Sequence, residues 1–507
     1  MPHCNVSRSL SNQAVSFVLA LSASIGVRAE ILTVNQDGST PFSTIHEAAA
    51  AAQDGDVIVL RPGEYVLDRP VRLGLVTICG VEGQQVTHVR MGTPANTSES
   101  SVFWSDRDER FGTILFESVT ISGGRGTSVD GETHGGAVYC PNVNTRFTDC
   151  VLKGNAVSGD GGAVFSKTIT VFRSRLEGNY AGGRGGGIAG RDTSFTQSQL
   201  VGNRARAGGA FATRGGVRSS VNANATLFAN NRAETEGGAI AFQGTSDSLQ
   251  MKNCVLYGNA AGSSGGALFA RGEIQHCTFS SNFAPRYGAI DVRSGSSIRL
   301  RSCIVVGHGE EPVSRFSATT CIFDVKTNDT SHVIVADPRF VAAGSFEFGA
   351  TSPSEVGGRM IDMPSHIVEA PDLHLKDDSP AIDAADSFES VDFDQNSRTC
   401  GFGPDIGAFE ANVCVEPVFL RGDYNATATL DISDAISGLQ FLKLGGAQPG
   451  CMDAADSNDD GRIDISDAIN TLNYLFLGGE PPPAPGAQVC GIDTTEDLLG
   501  CSTEACP

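Results

Sequence analysis

The chain has 507 residues, room for two or three domains, and carries 58 Asp and Glu against 36 Lys and Arg, a formal net charge of −22. Phosphate contacts need a basic surface, so this balance argues against nucleic acid and does not favour anionic membranes or anionic polysaccharides. With 61 Gly and a single Trp, the composition fits short strands and tight turns better than helices.

Residues 1–29 read as a signal peptide. Arg8 supplies charge, Ala14–Ile25 is a short apolar run, and Val27-Arg28-Ala29 forms a cleavage site before Glu30. The run is too short to span a bilayer, and no later stretch offers a transmembrane segment. Export permits disulfides. Cleavage removes Cys4 and leaves thirteen of the 14 cysteines, in spacings that match no CxxC zinc or redox pattern. Thr44–Glu47 is a Thr-x-x-Glu capping box opening an Ala-rich helix to about Gln53, and Val57–Leu60 follows as a buried strand. Such a helix covers the open end of a first coil.

From about residue 135 one unit recurs. A Leu/Phe-x-x-Asn step ends at Asn155, Asn179, Asn203, Asn231, Asn259 and Asn282, at spacings of 24, 24, 28, 28 and 23. Gly pairs interleave with it at 135–136, 161–162, 186–187, 208–209, 237–238 and 265–266, and Tyr287-Gly288 is a worn copy. A period in the twenties implies a solenoid, where each unit buries its apolar face only against its neighbours. The segments between the marks are short and alternate, as in TITVF at 168–172, which points to a parallel β-helix with about 4.8 Å per coil. Stacked Asn side chains then hydrogen-bond from coil to coil. Cys150, Cys254, Cys277 and Cys303 stand five residues before the Asn position, the last with His308 in place of Asn, and read as buried free thiols.

Three polar clusters stand out, and none supplies an expected catalytic residue. Gly307-His308-Gly309 matches the Gly-His-Gly of polygalacturonases, but His308 falls where the repeat puts Asn. Asp106-Arg107-Asp108-Glu109-Arg110 beside Trp104 reads as a solvated charged loop. The run from Asp392 to Asn396 reads as a turn-rich structural loop in preference to a calcium site.

The GGA and FxxN marks over 135–308 resemble the repeats of the polymorphic outer-membrane protein family, within the pectin-lyase-like group of right-handed parallel β-helices. The opening order of helix, GDVIVLRPGEY and coils resembles the entry of secreted members of that group, and AspIleGlyAlaPheGlu at 405–410 resembles their closing segment. The resemblance implies a β-helix domain over 30–412 and leaves polysaccharide as a partner.

Beyond it, Asp456–Asp467 reads as a twelve-residue calcium loop. Asp456, Asn458 and Asp460 stand at positions 1, 3 and 5, Gly461 at the bend, Arg462 at 7, Asp464 at 9 and Asp467 at 12, a spacing that surrounds a hard cation with oxygens. An imperfect copy lies 33 residues earlier, with Asp423, Asn425, Thr427, Thr429, Asp431 and Asp434 at the ligand positions and Ala428 where Gly is expected. The two loop-plus-helix repeats resemble a type I dockerin module over about Arg421–Gly479, within a domain expected at 413–479 and followed by a Pro-rich, Cys-containing tail at 480–507. That resemblance implies Ca2+ as cofactor and a cohesin-like partner, chosen by Ile432, Ser433, Ile465 and Ser466 at loop positions 10 and 11. The fold expected is mainly β: a right-handed parallel β-helix solenoid followed by a small α-helical domain of paired EF-hand-like loops. The role expected is secreted and structural, adhesive or carbohydrate-binding. A polysaccharide lyase or glycoside hydrolase is the alternative.

Overall fold

The computed structural model describes residues 29–92, 100–108, 112–215, 218–244, 246–293, 295–309, 311–326, 333–347, 354–356, 359–361, 366–369, 371–386, 389–398, 403–411, 418–493, 495, 499–501 and 506. The expected signal peptide, save Ala29, and the expected boundary at Asn412 lie outside them, as do Glu109 and Arg110.

Alternating apolar residues with Gly turns build the solenoid that the period implies. Within one coil the chain passes through Asn144–Thr148, Val151–Lys153, Ala156–Val157 and Val164–Ser166 before starting the next at Thr168–Phe172. Equivalent strands stack in parallel into a first sheet of twelve described strands, a second of twelve, a third of nine and a short fourth of five. The winding is right-handed, as parallel crossovers are. Three inward columns fill the interior. The first sheet contributes Phe116, Phe147, Val171 and Phe195, with the Phe116 and Phe147 rings stacked at 5.0 Å. The second contributes Leu152, Leu176, Leu200, Phe228, Leu256 and Phe279, which are the apolar residues of the repeat motif. The third contributes Phe103, Val138, Val164, Ile188 and Phe211. All are fully or almost fully buried, and each such side chain contributes roughly 1.5–3 kcal/mol.

The Asn series is the ladder the spacing predicts. Asn155 Nδ2 donates to Asn179 Oδ1 at 3.0 Å, Asn179 to Asn203 at 2.9 Å, Asn203 to Asn231 at 3.0 Å, Asn231 to Asn259 at 3.0 Å and Asn259 to Asn282 at 2.8 Å. Each Oδ1 also accepts the preceding Asn's main-chain N–H, so these buried amides are satisfied. His308 continues the column, its Nδ1 3.1 Å from both N and O of Asn282. The Gly pairs allow close passage: at Gly186 a Cβ would collide with the carbonyl oxygens of Arg204 and Gly209 on the next coil. Cys150, Cys254, Cys277 and Cys303 are buried free thiols, and Cys321 extends their stack.

Helix α1, Ile45–Ala51, carries the predicted capping box between Thr44 and Glu47. Ile45 and Ala48 belong to the solenoid core cluster. The closing segment folds back over the outer face of the second sheet. Gly407 lies so close to Ile304 and Thr278 that a Cβ there would strike both, and Ala408 N donates to Thr278 Oγ1 at 2.9 Å.

The chain divides into two compact units: Met1–His374 with Asp392–Gln395 and Ile406–Phe409, and the remainder through Pro507. The second holds α2 (Ile432–Leu444), α3 (Met452–Ala455) and α4 (Ile465–Leu477). Its hydrophobic cluster is small, Phe419, Cys451 and Ala454 with Cys501 against it. Disulfides join Cys451 to Cys501 and Cys490 to Cys506. Among the described residues no helix is long and apolar enough to cross a membrane.

Candidate functional site

The two loops have the same local geometry, residue for residue at an offset of 33. Positions 4 and 6 are left-handed in both: Ala426 at φ 54° and Ala428 at 60°, Asp459 at 59° and Gly461 at 74°. In each, the position-1 carboxylate caps the loop from inside. Asp423 accepts from Thr427 N at 3.0 Å and Ala428 N at 2.7 Å; Asp456 accepts from Asp460 N at 3.2 Å and Gly461 N at 2.7 Å. The position-12 carboxylates, Asp434 and Asp467, accept from the main chain at position 9 at 2.9 and 2.8 Å. Asp423, Asp434, Asp456 and Asp467 are all buried.

Burial, opposed in part by these hydrogen bonds, pushes Asp434 up to about 6. Burial, with Asp456 close by, pushes Asp467 up to about 7. The Oδ1 atoms of Asn425, Asn458 and Asp467 are buried without a hydrogen-bond partner, a cost of about 1–3 kcal/mol each unless something else is bound. Carboxylates held against their preferred charge beside orphaned amide oxygens suit a hard cation. Among the described residues no three His, Cys, Asp or Glu side chains converge on one point, so such a cation would depend on amide and main-chain oxygens too.

The other expected ligands are placed differently. Asp431 and Asp464 are the N-caps of α2 and α4, each accepting from Ser433 N or Ser466 N at 2.7 Å. Asp460, Arg462, Thr427 and Thr429 lie toward solvent. At positions 10 and 11, Ile432 and Ile465 are half exposed. Ser433 and Ser466 are engaged internally, accepting from Asn425 and Asn458 Nδ2 at 2.7 and 3.0 Å.

On the solenoid, a groove of about 910 Å3 lies over the outer face of the second sheet, with Lys153, Arg173, Arg175 and Gln199 on its floor and Asp394 at its rim. Its arginines are compensated: Arg173 pairs with Asp149 at 2.6 Å and Arg175 with Glu177 at 2.8 Å. Asp394 holds His374 Nε2 at 2.7 Å, and Asp372 holds its Nδ1 at 2.5 Å. Partial burial works to lower the imidazole pKa, but the two carboxylates outweigh it and raise the value. Asp394 is thus committed to His374.

A second surface escaped the sequence reading. Lys167, Arg191, Arg214, Gln243, Arg271 and Arg293 each stand two residues beyond an outward position of the third sheet, and those positions pair in register. Five of the six are cations on nearby coils, and among the described residues none of the five pairs with a carboxylate. Arg214 lies back along the solenoid, 4.0 Å over the Phe165 ring, with Nη1 3.1 Å from Pro141 O. Burial, and then Arg191, hold its pKa below the ordinary guanidinium value. Arg293 repeats the posture 5.5 Å over Phe269. Beside Arg271 a cavity of about 610 Å3 is lined by Arg218 and three serines, with no carboxylate. The aromatic side chains Trp104, Tyr139 and Phe165 continue the surface in register, the last two stacked at 5.5 Å. The separations of the basic positions, 24, 23, 29, 28 and 22 residues, are too irregular to show as a column without the register. Trp104 itself lies under Arg72, which pairs with Asp106.

A family model described as the Chlamydia polymorphic membrane protein repeat matches residues 225–243. No curated protein gives a significant sequence match. Among solved structures, the pectate lyase Pel9A is 16% identical, with 76% of this chain and 98% of that chain covered and a TM-score of 0.42. The pectin methylesterase PemA from Erwinia chrysanthemi is 14% identical, with 61% and 94% covered and a TM-score of 0.29. The PL6 family alginate lyase AlyGC is 12% identical, with 71% and 59% covered and a TM-score of 0.28.

Proposed function

We propose that this is an extracellular, glycan-binding β-helix protein whose basic column takes an acidic polysaccharide and whose dockerin-like module binds calcium and places the chain. The observation that carries the reading is the column of cations that, among the described residues, pair with no carboxylate: Lys167, Arg191, Arg214, Arg271 and Arg293, in a chain of net charge −22. Solvated surface cations usually cost little, but like charges stacked coil upon coil repel, and a linear polyanion relieves that repulsion. Beside it Trp104 and Tyr139 are half-buried, with Arg72 over the indole and Arg214 covering Phe165, so cations and rings share the surface. The overall charge pointed away from such a partner because it averages over segregated surfaces.

The test is binding of the full chain to polygalacturonate, alginate and a neutral dextran at low and moderate salt. The reading expects the two acidic polymers to bind, salt to weaken them, and the triple variant Arg191→Ala, Arg214→Ala, Arg271→Ala to lose on the order of tenfold in affinity or more. Equal binding of dextran, or no loss in the triple variant, overturns it. Calcium uptake by the full chain in calorimetry, abolished by Asp423→Ala with Asp456→Ala, tests the module. The pairing of Asp394 with His374 at the groove rim keeps glycan cleavage as the second reading. New reducing ends or unsaturated products in the same mixtures would establish it.

A further inference from the structure

We infer that the C-terminal tail is a strap that, through Arg421 and Asp459, positions the second calcium loop with a side-chain tie the first loop lacks; this rests on the calcium reading of the loops. Arg421 is fully buried beside loop two. Its Nε donates to Ala484 O at 2.8 Å, and its Nη1 to Asp453 O at 3.2 Å and Asp456 O at 3.1 Å. Nη2 donates to Asp493 Oδ1 at 2.8 Å and lies 3.1 Å from Asp459 Oδ1, an ion pair without hydrogen-bond geometry. The tail grips the same loop directly: Thr495 Oγ1 donates to Asp459 Oδ2 at 2.8 Å. It also grips the loop's entrance. Met452 N donates to Gly500 O at 2.9 Å, and Cys501 is bonded to Cys451, the N-cap of α3.

The tail also meets the entrance of loop one, where Phe419 N donates to Gly491 O at 3.0 Å and Arg421 N to Gly486 O at 2.9 Å, but the repeat explains why only loop two is tied by a side-chain ion pair. Thirty-three residues after Arg421 stands Ala454, and 33 before Asp459 stands Ala426. Neither partner of the Arg421–Asp459 pair therefore has an equivalent on the other loop. Loop two carries Asp456, Asp459, Asp460, Asp464 and Asp467, and in the absence of a cation these repel. A buried guanidinium that fixes the carbonyls at the loop entrance and answers two carboxylates holds the loop in its closed form, so less ordering remains for the cation to drive.

The strap is tested in the full chain with one loop silenced at a time, Asp423→Ala leaving loop two and Asp456→Ala leaving loop one. Cys501→Ser and, separately, Asp493→Asn are added to each. The inference expects calcium affinity at loop two to fall on the order of tenfold, loop one to keep its affinity, and amide exchange over 452–464 in chelator to speed up. Equal losses at both loops would mean general unfolding of the module and would overturn it. So would unchanged affinity at loop two with unchanged exchange. If the parent takes up no calcium, the calcium reading fails, and exchange over 452–464 alone decides whether the tail holds that loop.

Discussion

The asparagines of the solenoid and those of the C-terminal loops are chemically the same residue in opposite conditions. In the coils, Asn179 gives both its donor and its acceptor to neighbours, and the amide vanishes into the fold. In the loops, Asn425 and Asn458 donate to Ser433 and Ser466 while their Oδ1 atoms are buried with nothing to accept. A satisfied buried amide holds structure together. An orphaned one, repeated at the same position in two copies beside carboxylates of raised pKa, is what the calcium proposal rests on.

The contrast can be broken most directly at the ladder. Asn203→Ala orphans partners above and below it and should destabilise the solenoid by about 1–3 kcal/mol without changing calcium uptake. A denaturant midpoint within error of the parent would remove the ladder from the account. Asn458→Ala should do the reverse. In chelator it should shift stability by less than about 1 kcal/mol, because lost donor bonds and relief of the orphaned oxygen offset each other, while affinity at loop two falls on the order of tenfold. Calorimetry with and without chelator separates these two terms.

Ala428→Gly comes next. Ala428 holds φ 60° where loop two has Gly461, and a left-handed Cβ costs on the order of 1 kcal/mol. The variant should strengthen loop one and narrow the gap to loop two, which is expected to fill first. Two loops of equal affinity in the parent would show that the strain does not matter. The smallest effect is expected at His374. Its folded pKa is raised by Asp372 and Asp394, so its contribution is fully present below about pH 6.5 and is lost as pH rises through the folded value. Amide exchange over 392–395 should therefore quicken above neutrality, and should not do so in His374→Gln.

Much of this was legible in the chain. The Asn and Gly marks gave coil length and register because each seat admits few residues: only a side chain carrying both donor and acceptor extends the ladder, and only Gly passes under Arg204 and Gly209. The capping box at Thr44 was equally plain, and so was the repeat of one loop geometry at an offset of 33, since both are local. What stayed hidden depends on contacts far apart in sequence. The basic column needs the third sheet's register across loops of unequal length. Arg421 needs the tail, more than sixty residues away, and nothing around it shows what it binds. Ala426 was missed as a second strained seat because position 4 has no ligand role to draw attention. Net charge did not reveal the column, since it says nothing of where cations gather.

The ladder's amides all face one way, and this gives the stack unlike ends, as in a head-to-tail polymer. Each Asn passes a proton donor to the coil after it, from Asn155 to Asn282. His308 takes the next seat against Asn282, but among the described residues its Nε2 makes no hydrogen bond to a following coil, so nothing is handed on. The imidazole is a chain terminator. A coil spliced in before residue 282 would inherit the relay, whereas one added beyond 309 would start without it unless His308 became Asn. The Gly-His-Gly is where the amide relay stops, while the coils themselves run on through Phe316–Thr319, Cys321–Phe323 and Val333–Val335.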